Sequence, residues 1–186
     1  IGYCIIISLA LCYLDSVGVE ISYFIDFYNL IPILFALFIL NFFNKLYLGD
    51  SGSYLLGLLF SLYLIDTYQI NSEISPFFII CLLWYPAFEN LFSIFRKMQI
   101  SRSPVKPDTN HLHQLIFFHL KSIFKGNSFY LNTFTGILIN TYNLLSILFA
   151  TQFYNNTQVQ VLIIIFNVTL YIFIYTKLFL RKIKKF

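Results

Sequence analysis

The chain has 186 residues, of which 59% are apolar and 11% charged, against about 25% charged in an ordinary soluble domain. A soluble monomer could not hide that much apolar surface, and disordered, collagen-like, coiled-coil and disulfide-framework proteins are excluded by the same figures. What remains is an all-α, polytopic integral membrane bundle, with the lipid bilayer as its surroundings and no nucleic acid as its partner. The net charge is +4, and its placement says more than its size.

Residues 1–13 are apolar from the first position and lack the basic flank and cleavage site of a signal peptide. They are expected to be the tail of a membrane helix that starts upstream. With about 20 residues needed to span, six spans are predicted: 1–13, 27–44, 52–65, 76–95, 129–151 and 159–178. The 52–65 segment is short for a span. Cys4, Cys12 and Cys81 all lie in apolar runs and read as packing residues. No linker or repeat divides the chain, so residues 1–186 are expected to form one membrane domain with a polar loop over 96–127.

Lys and Arg stay on the cytoplasmic side of a membrane. If six helices alternate, all 12 basic residues fall on one side, at Lys45, between Arg96 and Lys125, and from Lys177 to Lys185. The other side receives Asp15, Glu20, Asp26, Asp66 and Glu73. Asp50, Glu89 and Asp108 are the acids left among the cations, which marks them for function.

Three constellations follow. In the first, Lys45-Leu-Tyr-Leu-Gly-Asp-Ser-Gly-Ser53, Gly49 and Gly52 permit a sharp turn or a close ligand. Asp50, Ser51 and Ser53 suit the first turn of a helix, where free N–H groups attract anions. A phosphate with Mg²⁺ held by Asp50 fits there; so does an ordinary capped helix start. A protease-like Gly-Asp-Ser-Gly string is set aside, because that fold is soluble and all-β.

The second is Arg102-Ser-Pro-Val-Lys106-Pro-Asp108, stiffened by two prolines, followed by Asn110-His-Leu-His-Gln114. Asp108 or Thr109 is expected to cap a short helix. His111 and His113 share a face of an extended segment but diverge by about 200° in a helix, which is not zinc-site spacing. They suit phosphate contact or proton transfer, or else belong to a solvated interfacial loop. His119, among Phe117, Phe118 and Leu120, reads as packing.

The third, Trp84-Tyr-Pro86-Ala-Phe-Glu89-Asn90, places an acid near a helix end. An intramembrane acid is costly unless it meets a cavity or a partner. An ion pair to a loop Arg and a substrate contact are both open for Glu89. The basic tail from Lys177 to Lys185 is expected to meet lipid headgroups.

Residues 45–53, 85–97 and 102–115, in this order, resemble the polyprenyl-phosphate N-acetylhexosamine-1-phosphate transferases. The resemblance covers about residues 1–125 through its motifs and the last two spans through topology. It implies transfer of N-acetylhexosamine-1-phosphate from a UDP-N-acetylhexosamine to polyprenyl (undecaprenyl) phosphate, with release of UMP, in a bacterial inner membrane with cytoplasmic catalytic loops. The cofactor it implies is Mg²⁺, with Mn²⁺ as an alternative. Asp50 then matches the metal-binding Asp of Gly-Asp-x-Gly-Ser, while His111 and His113 match the family's His motif. Lys45, Ser51, Gly52, Ser53, Glu89, Arg102 and Lys106 become substrate-binding candidates.

Gln114 stands where the family carries a third His, and Glu89 where Asp is common. The family's upstream Asp-Asp pair and Asp-Gly-x-Asp-Gly loop are absent from these residues. The chain is therefore expected to be a C-terminal portion, inactive by itself. The competing class is a non-catalytic membrane protein, a transporter piece or an inactive homologue.

Overall fold

A computed structural model describes residues 1–21, 27–43, 45–99, 110–124 and 128–184. Among them lie seven α-helices and no strand: α1 (Gly2–Ser16), α2 (Phe27–Phe42), α3 (Gly49–Ile70), α4 (Pro76–Gln99), α5 (Leu112–Ile123), α6 (Ser128–Thr151) and α7 (Thr157–Ile183). The protein is an all-α, multi-pass membrane bundle, as its composition predicts.

Six spans are more than the helices show. Three are long and apolar enough to cross a membrane, at Pro76–Gln99, Tyr130–Thr151 and Thr157–Ile183. α1 and α2 are apolar but have 15 and 16 residues, about 22–24 Å at 1.5 Å per residue, short of a core of about 30 Å. α3 has length enough, with 22 residues, because it continues past the expected 52–65 at both ends. Those added turns carry Asp50 and Asp66, so its composition is less apolar.

The helix ends follow local chemistry. Gly18, at φ 87°, closes α1 in a Schellman turn, with Val19 N–H donating to the Leu14 carbonyl and Gly18 N–H to that of Asp15, each at 3.0 Å. Pro76 opens α4 behind Ser75, whose Oγ accepts from Phe77 N–H at 3.3 Å. Asn156 caps α7 through Val159 N–H at 3.2 Å. The buried Gln160 amide donates at 2.8 Å to the carbonyls of both Ala150 and Phe153, satisfying the end of α6.

Pro86 lies inside α4 and has no N–H for the carbonyl four residues earlier. That carbonyl, of Leu82, accepts instead from the Tyr3 hydroxyl at 2.9 Å. In an apolar surrounding, such a replacement is what lets a helix keep an internal proline.

The chain divides into two compact units, residues 1–82 with 143–161 and residues 83–142 with 162–186. The first has Leu11, Leu14, Phe60 and Leu64 among its buried residues. The second is built around Trp84, Leu112, Leu115, Tyr171 and Tyr175. Its aromatic rings meet edge to face, Phe88 on Tyr171 at 5.0 Å and Phe92 on Tyr175 at 4.7 Å between centroids, geometry worth roughly 0.5–1.5 kcal/mol per pair beyond burial. Within this unit the Tyr142 hydroxyl also donates to the buried Asn167 amide oxygen at 2.5 Å, joining α6 to α7 by a polar contact.

Candidate functional site

The first motif enters α3 through Gly49, at φ 67°. No atom would meet a Cβ there within 4 Å, so glycine is required by the left-handed backbone alone. Gly49→Ala is expected to lower stability by about 1 kcal/mol, read as a reduced thermal midpoint. Gly52 is set by packing: a Cβ would lie 2.7 Å from Leu48 Cγ. The loop leading in is tied back by the Asn41 amide, which donates to the Leu46 carbonyl at 3.1 Å.

Asp50 does not cap the helix. The N-cap is Leu48, no side chain makes a capping bond, and Asp50 stands in the first turn. Ser53 Oγ donates back to the Gly49 carbonyl at 2.8 Å. Asp50 is exposed, and among the described residues its carboxylate has no hydrogen-bond or ion-pair partner. Lys45 and Ser51 are exposed as well.

Among the described residues no three His, Cys, Asp or Glu side chains gather. Mg²⁺ does not require such a cage: it commonly takes one or two carboxylates and fills its octahedron with water and substrate phosphate. An exposed, unengaged carboxylate on a first helical turn fits that donor set.

The His motif belongs to the second unit. α5 starts later than expected, and its cap is His111 rather than Asp108 or Thr109, which lie outside the described residues, as do Arg102 and Lys106. His111 is extended, at φ −69° and ψ 152°, and its N–H donates to the Gln114 side-chain oxygen at 3.1 Å. Gln114 thus serves as the N3 partner of a capping box, a job for a carbonyl oxygen. Because His111 precedes the helix and His113 sits in its first turn, their rings stack, 5.7 Å apart at 17°.

Glu89 reaches this loop from α4. Its Oε1 accepts from Leu112 N–H and faces His111 Nδ1, both at 3.0 Å, while Oε2 accepts the Tyr171 hydroxyl at 2.8 Å. The carboxylate therefore holds the first free N–H of α5. Among the described residues these three donors, and no arginine, satisfy the carboxylate. His113 is surface-exposed on one side, yet crowding by protein on the other lowers its pKa; the Glu89 charge opposes that shift and His111 adds to it.

α7 contributes groups that its apolar pattern did not reveal. Lys182 Nζ donates to Asn110 Oδ1 at 2.7 Å and lies 4.9 Å over the Phe118 ring. Arg181 donates to His119 Nε2 at 3.2 Å, which puts the His119 proton on Nδ1. Part of the basic tail thus grips the His segment. The signal was an aromatic stripe: Tyr171, Tyr175 and Phe179 at helical spacing on α7, facing Phe88 and Phe92.

No family model and no solved structure matches the chain. Among curated proteins it is similar to the decaprenyl-phosphate N-acetylglucosaminephosphotransferase of Mycolicibacterium smegmatis, 32% identical over 81 residues, which is 37% of this chain and 20% of that protein. The undecaprenyl-phosphate alpha-N-acetylglucosaminyl 1-phosphate transferase of Escherichia coli K12 is 32% identical over 73 residues, 39% and 20% of the two chains. The protein of that name from Thermotoga maritima is 31% identical over 71 residues, 38% and 23%. The chain spans about a fifth of the length of the curated relatives it matches. Over this part of its length the chain is similar to polyprenyl-phosphate N-acetylglucosamine-1-phosphate transferases.

Proposed function

We propose that the chain is part of an enzyme that moves N-acetylhexosamine-1-phosphate from a UDP-sugar to a membrane polyprenyl phosphate, releasing UMP on the cytoplasmic side of a bacterial inner membrane. The observation that carries this is its similarity to relatives that are all named as polyprenyl-phosphate N-acetylglucosamine phosphotransferases. The side chains are suited to the chemistry. Phosphoryl transfer is mostly positioning and neutralisation of charge, and both motifs offer groups for that.

Asp50 would hold Mg²⁺, an ion that neutralises phosphate charge when bound. Lys45, Ser51, Gly52 and Ser53 would border the phosphates at the start of α3, where backbone N–H groups are free. His113, with its lowered pKa, is neutral at pH 7 and can donate one hydrogen bond to a phosphate oxygen. Fixed positive charge would come from Arg102 and Lys106, with guanidinium favoured for forked contact to pyrophosphate. The exposed apolar faces of the helices suit the lipid tail of the acceptor.

The test is UMP release from UDP-N-acetylglucosamine by membranes that carry the full-length enzyme of which this chain is part and are supplied with polyprenyl phosphate. Release that depends on both substrates is expected. Absence of UMP with every UDP-N-acetylhexosamine offered would overturn the assignment.

A further inference from the structure

Among the described residues, Glu89 is the one acid of the second unit, in company with Arg96, Lys97, Lys121, Lys177, Arg181, Lys182 and Lys184. It is 8% exposed. A buried carboxylate is costly unless its oxygens are satisfied, and with so many cations in its unit an ion pair would be the ready solution. The oxygens are instead taken by an imidazole, a backbone N–H and a phenol, drawn from α5 and α7. One bond holds the His111 ring itself, the second holds the backbone next to it at the head of α5, and the third fixes the carboxylate that makes both.

An ionised carboxylate can only accept, so the hydrogen between it and His111 sits on Nδ1. Nε2 is then the nitrogen left for a ligand, and in a neutral ring it is an acceptor. A ring held this way suits a donor on the substrate, such as a hydroxyl, a ring N–H or a protonated phosphate oxygen. The stacked His113 remains the one able to donate to an anionic oxygen. The two histidines, alike in sequence, are thereby given different tasks.

Building on the transferase reading above, we propose that Glu89 is a positioning residue, fixing His111 with Nδ1–H turned inward and Nε2 offered to a donor group of the substrate, while Tyr171 secures the other carboxylate oxygen. Its support reaches the motif from α4 and α7, so the last helix takes part in the site through Tyr171.

Two readouts test this. In ¹⁵N-histidine-labelled protein in lipid nanodiscs, with His111 assigned by its loss in His111→Asn, the ring is expected to carry its proton on Nδ1 with a bare Nε2. Glu89→Gln, which keeps the size and one acceptor oxygen, is expected to weaken that preference, and Glu89→Asp to retain part of it. In UMP-release assays Glu89→Gln is expected to lower kcat roughly 10–100-fold, the usual effect of losing a group that orients a functional ligand, with KM for the UDP-sugar changed less than about threefold on the same basis. The double variant Glu89→Gln/His111→Ala should be no worse than His111→Ala alone, because Glu89 acts through His111. A wild-type His111 protonated on Nε2, a tautomer indifferent to Glu89→Gln, or losses that multiply in the double variant would each overturn the proposal. If no transferase activity is found at all, the function falls, but the ring's tautomer still decides the role of Glu89.

Discussion

Asp50→Ala is expected to lower UMP release about 10²–10³-fold, the range seen when a group that stabilises developing charge is removed. The protein should remain folded. Asp50 is exposed, and among the described residues its carboxylate has no partner. Its structural contribution is limited to the favourable position of an acid on the first turn of α3, worth roughly 0.3–1 kcal/mol. Activity and stability thus separate cleanly at this residue. Asp50→Asn should fall nearly as far in activity, because the neutral amide oxygen is a poorer ligand for a hard cation. Thermal melts and UMP assays on the same preparations check both halves. Turnover that survives Asp50→Ala would remove Asp50 from the proposed metal site.

The contrast between Asp50 and Glu89 explains how much of the site could be read from the chain. Both are acids that the expected alternation of spans leaves among the cations, and both stand out by charge alone. What each carboxylate touches depends on elements far apart in sequence. Glu89 finds His111 22 positions away and Tyr171 82 positions away, and neither distance has a local signature. Periodicity and composition sufficed for the helical membrane bundle and for the short helix after the His motif. They did not suffice for the length of α3, where Gly49 turns the chain a full three residues before the apolar run begins. Nor did they distinguish Tyr171 from 13 other tyrosines, since a phenol's partner is decided by packing. Gln114 is the instructive case: read as a lost histidine, it is the residue that closes the capping box on His111.

The His pair leads to a prediction that depends on pH. Desolvation lowers the His113 pKa from its ordinary 6.5, His111 adds to the shift, and Glu89 partly offsets it. The folded protein therefore favours the neutral ring. Between the lowered folded value and 6.5 the unfolded chain binds more protons, so stability rises with pH across that window. The contribution is fully present above 6.5 and is lost as pH falls from there through the folded value. Wild-type melting temperature should accordingly decline on the acid side of 6.5, and His113→Gln should lack that part of the decline. Activity should follow the neutral ring in the same direction: kcat/KM holds at pH 6.5–7.5 and drops only at lower pH, while His113→Gln falls about 10²-fold at pH 7 and loses the corresponding acid limb. Rising activity on acidification would mean that a protonated His113 is the working form, and would transfer the phosphate-donating task from a neutral ring to an imidazolium. In the stacked pair the Glu89 carboxylate bonds to His111, and among the described residues no carboxylate is in direct contact with His113, which favours its neutral form.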